Sequence, residues 1–281
     1  MVAATDVQAQ ITYLLPSSRI NRRFWAPGAE LNTGIYAPYD VTIRNARLAG
    51  LFTLDDHGFC LEHHPTAITD WEANYGPDSE YANEVCAIAA KMSGTDFVVP
   101  MGGMVRSSGA TSATVQPPAA EAHVDFTERS ARTLAERIYR AHRPDGAGYT
   151  RVICFSLWRA LSPPPQNMPL ALCEGGSVRD EEGTHNTKVD VDELPSGDAM
   201  FADVAGEADM MAATIFHHSS DHRWWYFPDM TPQEVIFIKF NDSDHSRVWR
   251  APHTAFRDSS RPEATERRSM EFRGVAYFTK D

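Results

Sequence analysis

His123, Val124 and Asp125 set an imidazole and a carboxylate two residues apart, and on a strand that spacing turns both side chains to one side of the sheet. His253, within Pro252-His253-Thr254, offers a second imidazole far downstream, and Arg267 with Ser269 repeats the two-residue spacing beyond it. Two neutral imidazoles and a carboxylate fill one face of Fe(II) and leave three positions for a bidentate 2-oxo acid and O2. Arg267 suits the far carboxylate of such an acid because a guanidinium presents a planar fork of donors, and Ser269 adds a hydroxyl from the same strand face. Arg268 points the other way. The same residues also fit a solvated charge ladder in which Arg267, Arg268 and Arg273 pair with Glu266 and Glu271, and the strand pattern alone serves both readings.

A substrate pocket beside these groups is expected to draw on Met101, Met104, Phe126, Trp158, Arg159 and Tyr226. Arg159 closes an apolar run, so it is either buried against a carboxylate or aimed into the pocket at an anion. His217, His218, Asp221 and His222 abut an aromatic strand and suit a turn or hydrogen-bonding role better than a second metal. Two rival readings use the same residues: a redox-neutral cupin-like isomerase or hydrolase with zinc on His123, Asp125 and His253, and a non-catalytic helper of a biosynthetic enzyme.

The elements that must position these groups follow from patterning. Residues 1–40 are rich in Pro, Gly and Asn and read as an extended arm with turns. Val41-Thr42-Ile43-Arg44 and Leu51-Phe52-Thr53-Leu54 read as strands of a small antiparallel unit. Tyr81, Val85, Ile88, Ala89 and Met92 fall at helical spacing after Pro77-Asp78, and Gly94 stops that helix. Phe97-Val98-Val99-Pro100 is a short strand, and Met101 to Pro118, rich in Gly, Ser and Ala, reads as a mobile loop of the kind that forms lids. Thr127 is placed to cap a second helix with Ala131, Leu134, Ala135, Ile138, Tyr139 and His142 on one face. Val152 to Trp158 is a strand covered on both faces. Residues 175–209 read as an acidic, solvated excursion. Strands around Ile215, Trp224, Phe237 and Phe272–Phe278 complete an α+β chain, jelly-roll-like in architecture.

The chain has 281 residues and no linker dividing it, which suits one large domain. A formal charge of −12 with dispersed Lys and Arg disfavours nucleic acid. Cys60, Cys86, Cys154 and Cys173 lie far apart, as buried free thiols of a reducing compartment do. The start lacks a basic segment followed by an apolar run, and no eighteen consecutive residues are apolar, so a cytoplasmic location without membrane association is expected. Oligomeric state is not legible.

Successive blocks carry a resemblance: Asn32-Thr33-Gly34, Val41 to Arg47, His57-Gly58-Phe59, His123-Val124-Asp125, Leu157-Trp158-Arg159, Pro169 to Cys173, Arg223 to Pro228, Pro252 to Phe256 and Arg267 to Arg273. Together they resemble the hydroxylase/desaturase family of secondary metabolism, which includes gibberellin-desaturase-like and cephamycin 7-alpha-methoxylation proteins. The resemblance implies a double-stranded β-helix core, cupin-like, with packing helices and the N-terminal arm, in one domain over residues 1–281 whose metal-binding core is about residues 120–281. It implies Fe(II) on His123, Asp125 and His253, with 2-oxoglutarate held by Arg267 and Ser269 and O2 as the second cosubstrate. A small secondary metabolite would be hydroxylated, desaturated, cyclised or rearranged, with succinate and CO2 as coproducts.

Overall fold

The computed structural model describes residues 5–112 and 114–280; residues 1–4, where the stretch read for a leader begins, and Ala113, inside the expected loop, lie outside them. In chain order the strands and helices are β1 (Val7–Leu14), β2 (Arg22–Ala26), β3 (Ala29–Asn32), β4 (Tyr36–Asn45), α1 (Ala46–Ala49), α2 (Leu54–His57), β5 (Phe59–His63), α3 (Glu80–Ser93), β6 (Phe97–Ser107), β7 (Val115–Gln116), β8 (His123–Val124) and α4 (Glu128–His142). Then follow β9 (Tyr149–Ala160), β10 (Leu170–Cys173), β11 (Gly183–Asp190), β12 (Ala212–Phe216), β13 (Trp224–Tyr226), β14 (Glu234–Asp242), β15 (His253–Ala255) and β16 (Arg268–Thr279). The fold is sheet-rich α+β.

Two sheets carry it. One has the order β1-β4-β13-β10-β15-β8-β12-β11-β2-β3, the other β5-β14-β9-β16-β6-β7. Bridges from Thr12 to Glu121 and from Leu14 to His217 bring β1 back against the strands around β8, so the larger sheet curls on itself. Trp158, Cys154, Ile236, Ile238, Phe240, Val275 and Tyr277 of the smaller sheet meet Leu170 and Leu172 of the larger one in a shared core. Ala131, Leu134, Ala135 and Tyr139 of α4 pack into that same core. The alternate residues Ile153, Phe155, Leu157, Phe237, Met270 and Phe272 face the other way and are covered by Tyr81, Val85, Ile88 and Ala89 of α3. Both helices keep the ends that their residues dictate: Ser79 and Thr127 accept hydrogen bonds at the N-termini, and Gly94, at φ 74°, ends α3.

Several expectations are corrected. Met101 to Ser107 is not a loop but the greater part of β6, paired along β16. Its small residues are there because the neighbour supplies the bulk: a Cβ on Gly103 would lie 2.7 Å from Phe272 Cδ2 and 2.9 Å from the Glu271 carbonyl oxygen. Residues 51–54 form no strand. Thr53 caps the helical turn α2, which Gly58 closes with φ 86°. Within residues 175–209, Gly183–Asp190 is a strand paired with β12 and β2 rather than a solvated excursion. Much of residues 1–40, expected to be an extended arm, is strand of the larger sheet, in β1, β2, β3 and the start of β4.

Candidate metal and cosubstrate site

β8 and β15 are adjacent and antiparallel, and His123 pairs directly with His253. Directly opposed residues project from the same face, and here the ring centroids are 4.5 Å apart. Asp125 lies two residues beyond His123, on the same side, while Val124 points away into a third core with Val7, Ile11, Tyr13 and Trp224. One ligand atom from each of His123, Asp125 and His253 lies within 4.8 Å of the others, the single such His/Cys/Asp/Glu group among the described residues.

The chain around these residues fixes which atoms are offered. His123 Nδ1 donates to the Glu121 carbonyl at 2.8 Å and His253 Nδ1 to the Ala251 carbonyl at 3.2 Å. Each ring therefore presents Nε2 to the site, the arrangement that prepares an imidazole for a metal. His253 also stacks on Phe240, with centroids 5.3 Å apart and planes at 9°. His123 Nε2 lies 3.4 Å from Asp125 Oδ1. The segment after Asp125 is tied down by Thr127 N–H to the Ala212 carbonyl and by Thr214 Oγ1 to the Phe126 carbonyl.

Burial dominates the electrostatics. Burial and then the neighbouring His123 push His253 down to about 4, so its imidazole is neutral at physiological pH. His123 is shifted up: burial opposes its charge, but the hydrogen bond and charge of Asp125 outweigh it. Burial acts to raise Asp125, yet Arg273 and His123 hold it far below the usual carboxylate range. Three residues that can ligate a divalent cation thus stand with the carboxylate charged and one imidazole neutral.

A pocket runs from His123 and His253 towards Arg267, lined among others by Ser156, Trp158, Leu170, Ile238 and Glu271. Arg267 is 2 % exposed and Ser269 wholly buried. Arg267 Nη1 donates to the Met168 carbonyl at 3.0 Å, and its guanidinium lies 5.7 Å from the Trp158 ring centroid. Arg267 Nε and Ser269 Oγ have no hydrogen-bond partner. Buried polar groups are rarely left so, and a donor pair orphaned beside this pocket fits a carboxylate. Burial and Arg106 lower Arg267 to about 9, which an anion beside it would reverse.

The remaining expected residues divide. Trp158 lines the pocket. Phe126 packs behind it, edge-on to Phe240 at 5.9 Å. Met101 and Met104 wall an outer cleft that ends on Glu271 and Arg273. Arg159 belongs elsewhere: it faces the α3 side and donates to Tyr81 Oη, the His64 carbonyl and the Pro232 carbonyl, neither against a carboxylate nor in the pocket. Tyr226 is also away from the site, packed on Phe256 with its hydroxyl on the Thr5 carbonyl. His217 and His222 are occupied in hydrogen bonds to Leu14 and Thr184, and to Tyr13 and Glu182. Arg268 pairs outward with Glu72.

Sequence patterning gives Ser156 no role, and Glu271 and Arg273 only that of a solvated charge ladder. Ser156, whose hydroxyl is also unpartnered, lies inside an apolar run two residues before Trp158, and the period of two that selected Arg267 and Ser269 reaches Glu271 and Arg273 as well. Those two are not an exposed ladder. Arg273 Nη2 donates to Glu271 at 2.7 Å, Glu271 accepts from Arg106 at 3.0 Å, and Arg273 Nε sits 2.6 Å from Asp125 Oδ2. Burial raises Glu271, but Arg273 and Arg106 bring it down to about 2.

The hydroxylase/desaturase efuI of Hormonema carpetanum is 27% identical over 245 residues, covering 82% of this chain and 80% of its own. The Fe(II)/2-oxoglutarate-dependent dioxygenase nvfI of Aspergillus novofumigatus is 23% identical, covering 89% of this chain and 87% of its own. A solved structure of the iron and alpha-ketoglutarate-dependent endoperoxidase NvfI superposes with a TM-score of 0.78 over 98% of this chain and 99% of that one, at 20% identity, which places the fold in the jelly-roll type of that oxygenase. A family model described as Oxidoreductase/YMDC permease-like domain matches residues 11–277. The chain therefore belongs to that oxidoreductase family, and its homologues are hydroxylase/desaturases and Fe(II)/2-oxoglutarate-dependent dioxygenases.

Proposed function

We propose that this protein is a non-haem Fe(II)/2-oxoglutarate-dependent oxygenase that hydroxylates, desaturates or oxidatively cyclises a small secondary metabolite, releasing succinate and CO2. The observation that carries the reading is that His123 and His253, two of three clustered ligand residues, line one pocket with Arg267, whose Nε is buried without a partner, as is the hydroxyl of Ser269 two residues on. A zinc isomerase or hydrolase has a use for the triad and none for the donor pair. In this reading the whole chain works as one cytoplasmic oxygenase domain on a double-stranded β-helix, with its ligands in residues 120–281. The four free cysteines suit a reducing compartment.

His123 and His253 offer Nε2, and Asp125 offers Oδ1, on one face of the metal. Bound there, Fe(II) with 2-oxoglutarate and O2 supplies the oxidising power that removes hydrogen from an unactivated C–H bond. Arg267 and Ser269 bind the far carboxylate of the cosubstrate, which fixes its length along the pocket and turns its 2-oxo acid end towards the triad. Trp158, Leu170 and Ile238 exclude water along its flank.

Anaerobic titration with Fe(II) and 2-oxoglutarate tests this directly. Wild type is expected to develop the weak visible charge-transfer band of the chelate, His123→Ala to lose it, and Arg267→Ala to require a much higher 2-oxoglutarate concentration. No band in wild type sinks the oxygenase reading.

A further inference from the structure

We propose that Arg273 selects the substrate, holding the carboxylate of an otherwise apolar monocarboxylic acid beside the metal face; the proposal rests on the oxygenase reading above. β16 lays Ser269, Glu271 and Arg273 along one inner face, because alternate residues share a side, and Arg267 immediately precedes the strand. Arg267 and Ser269 stand at the cosubstrate end. Arg273 stands at the other end, beside Asp125.

Three guanidinium groups, those of Arg106, Arg267 and Arg273, face two carboxylates, those of Asp125 and Glu271. A divalent metal and a doubly charged cosubstrate cancel, so the loaded site keeps one excess positive charge. Its place is set by hydrogen bonding. Arg273 spends Nε and Nη2 on Glu271, and Asp125 Oδ2 makes no hydrogen bond although Arg273 Nε is close. Nη1 lies outside these bonds, and the side chain is 32 % exposed where the outer cleft meets the site.

The cleft supplies the other half of the specificity. Its walls are Tyr75, Pro77, Met101 and Met104 with the side-chain-free Gly102 and Gly103, and it ends on Glu271 and Arg273. Glu271 lines both this cleft and the inner pocket, so the two spaces lie on either side of the row of charges. A ligand entering here presents apolar surface to methionines and an aromatic ring, and its anionic end to Arg273. Glu271 disfavours a second negative charge, which argues for a monoanion over a phosphate or dicarboxylate.

The test uses full-length protein loaded anaerobically with Fe(II) and 2-oxoglutarate. The probes are 1-naphthoate and straight-chain carboxylates of six to twelve carbons, each beside its neutral methyl ester, followed by calorimetry. At least one acid is expected to bind about tenfold or more tighter than its ester, as a charge-assisted hydrogen bond predicts. Arg273→Gln should reduce that preference to about twofold or less, measured at Fe(II) and 2-oxoglutarate concentrations that saturate the variant's own chelate band, whereas Arg273→Lys should retain part of it. The proposal fails if no acid outbinds its ester, if the preference survives Arg273→Gln, or if excess 2-oxoglutarate displaces the acid competitively, which places it in the Arg267 cradle. If Arg273→Gln does not fold, Met104→Trp decides: narrowing the cleft should weaken the acid and spare 2-oxoglutarate, and unchanged acid affinity overturns the assignment. An Arg273-dependent acid preference without any chelate band in wild type supports the Arg273 assignment while sinking the oxygenase reading.

Discussion

His253 shows how burial prepares a ligand. A ring that is 6 % exposed and held near a pKa of about 4 carries no proton that a metal must displace at neutral pH. The same shift has a thermodynamic consequence for the metal-free protein. The unfolded chain takes up a proton at this residue near its ordinary 6.5 while the folded chain refuses it until about 4, so folding stability falls as pH drops through that window. The contribution lost is about 3 kcal/mol in all. Urea midpoints measured from pH 7 to pH 4 should therefore fall less steeply in His253→Gln than in wild type; parallel slopes would contradict the shift. Ser269 gives a complementary case. Its hydroxyl is buried without a partner, so Ser269→Ala is expected to leave stability unchanged or raise it by about 0.5–1 kcal/mol while weakening 2-oxoglutarate roughly fivefold, one hydrogen bond's worth. Calorimetric binding beside a melting curve separates the two effects.

The strands decide which of these groups meet, and they were legible to different degrees. His123, Asp125, Arg267 and Ser269 could be picked out because a period of two is written into neighbouring residues. That His123 pairs with His253 depends on β8 and β15 becoming neighbours, which no local pattern encodes. Arg159 was ambiguous for a physical reason: β9 is buried on both faces, so hydrophobicity does not say which side a given residue takes, and Trp158 and Arg159 face opposite layers. Residues 101–107 were misread because glycine and serine mark loops when the strand across the way is unknown. The lead-in to β15 shows the same dependence, since a Cβ on Gly175 would lie 2.1 Å from the Arg250 carbonyl oxygen. Gly175→Ala must push that backbone aside and is expected to cost about 1–3 kcal/mol and to weaken metal binding through His253. Equal urea midpoints and metal affinities would show that the segment yields freely.

Across the molecule, the charges are distributed unevenly: the chain carries −12 overall, yet the row along β16 is cationic. Its thiols are protected as a set. Burial raises Cys60, Cys154 and Cys173 to about 12, and Cys86 upward as well, so few thiolates exist at pH 8. A chromogenic thiol reagent should react slowly with native protein and with four groups after denaturation. Rapid native reaction at these positions would mean that the layers open far more readily than their packing indicates.

The direct opposition of His123 and His253 also carries a temporal consequence. The two strands that bring them together are far apart in the chain, so the ends of a very long loop must meet before the second imidazole can join the first, and long-range sheet pairing of this kind forms late because its closure entropy comes ahead of its rewards. An ion held by the proposed triad would then be a clock for the last stage of assembly. In refolding with Co(II) present, the visible absorption of the bound metal should rise only with the slowest phase, after the helices have already regained their far-ultraviolet signal.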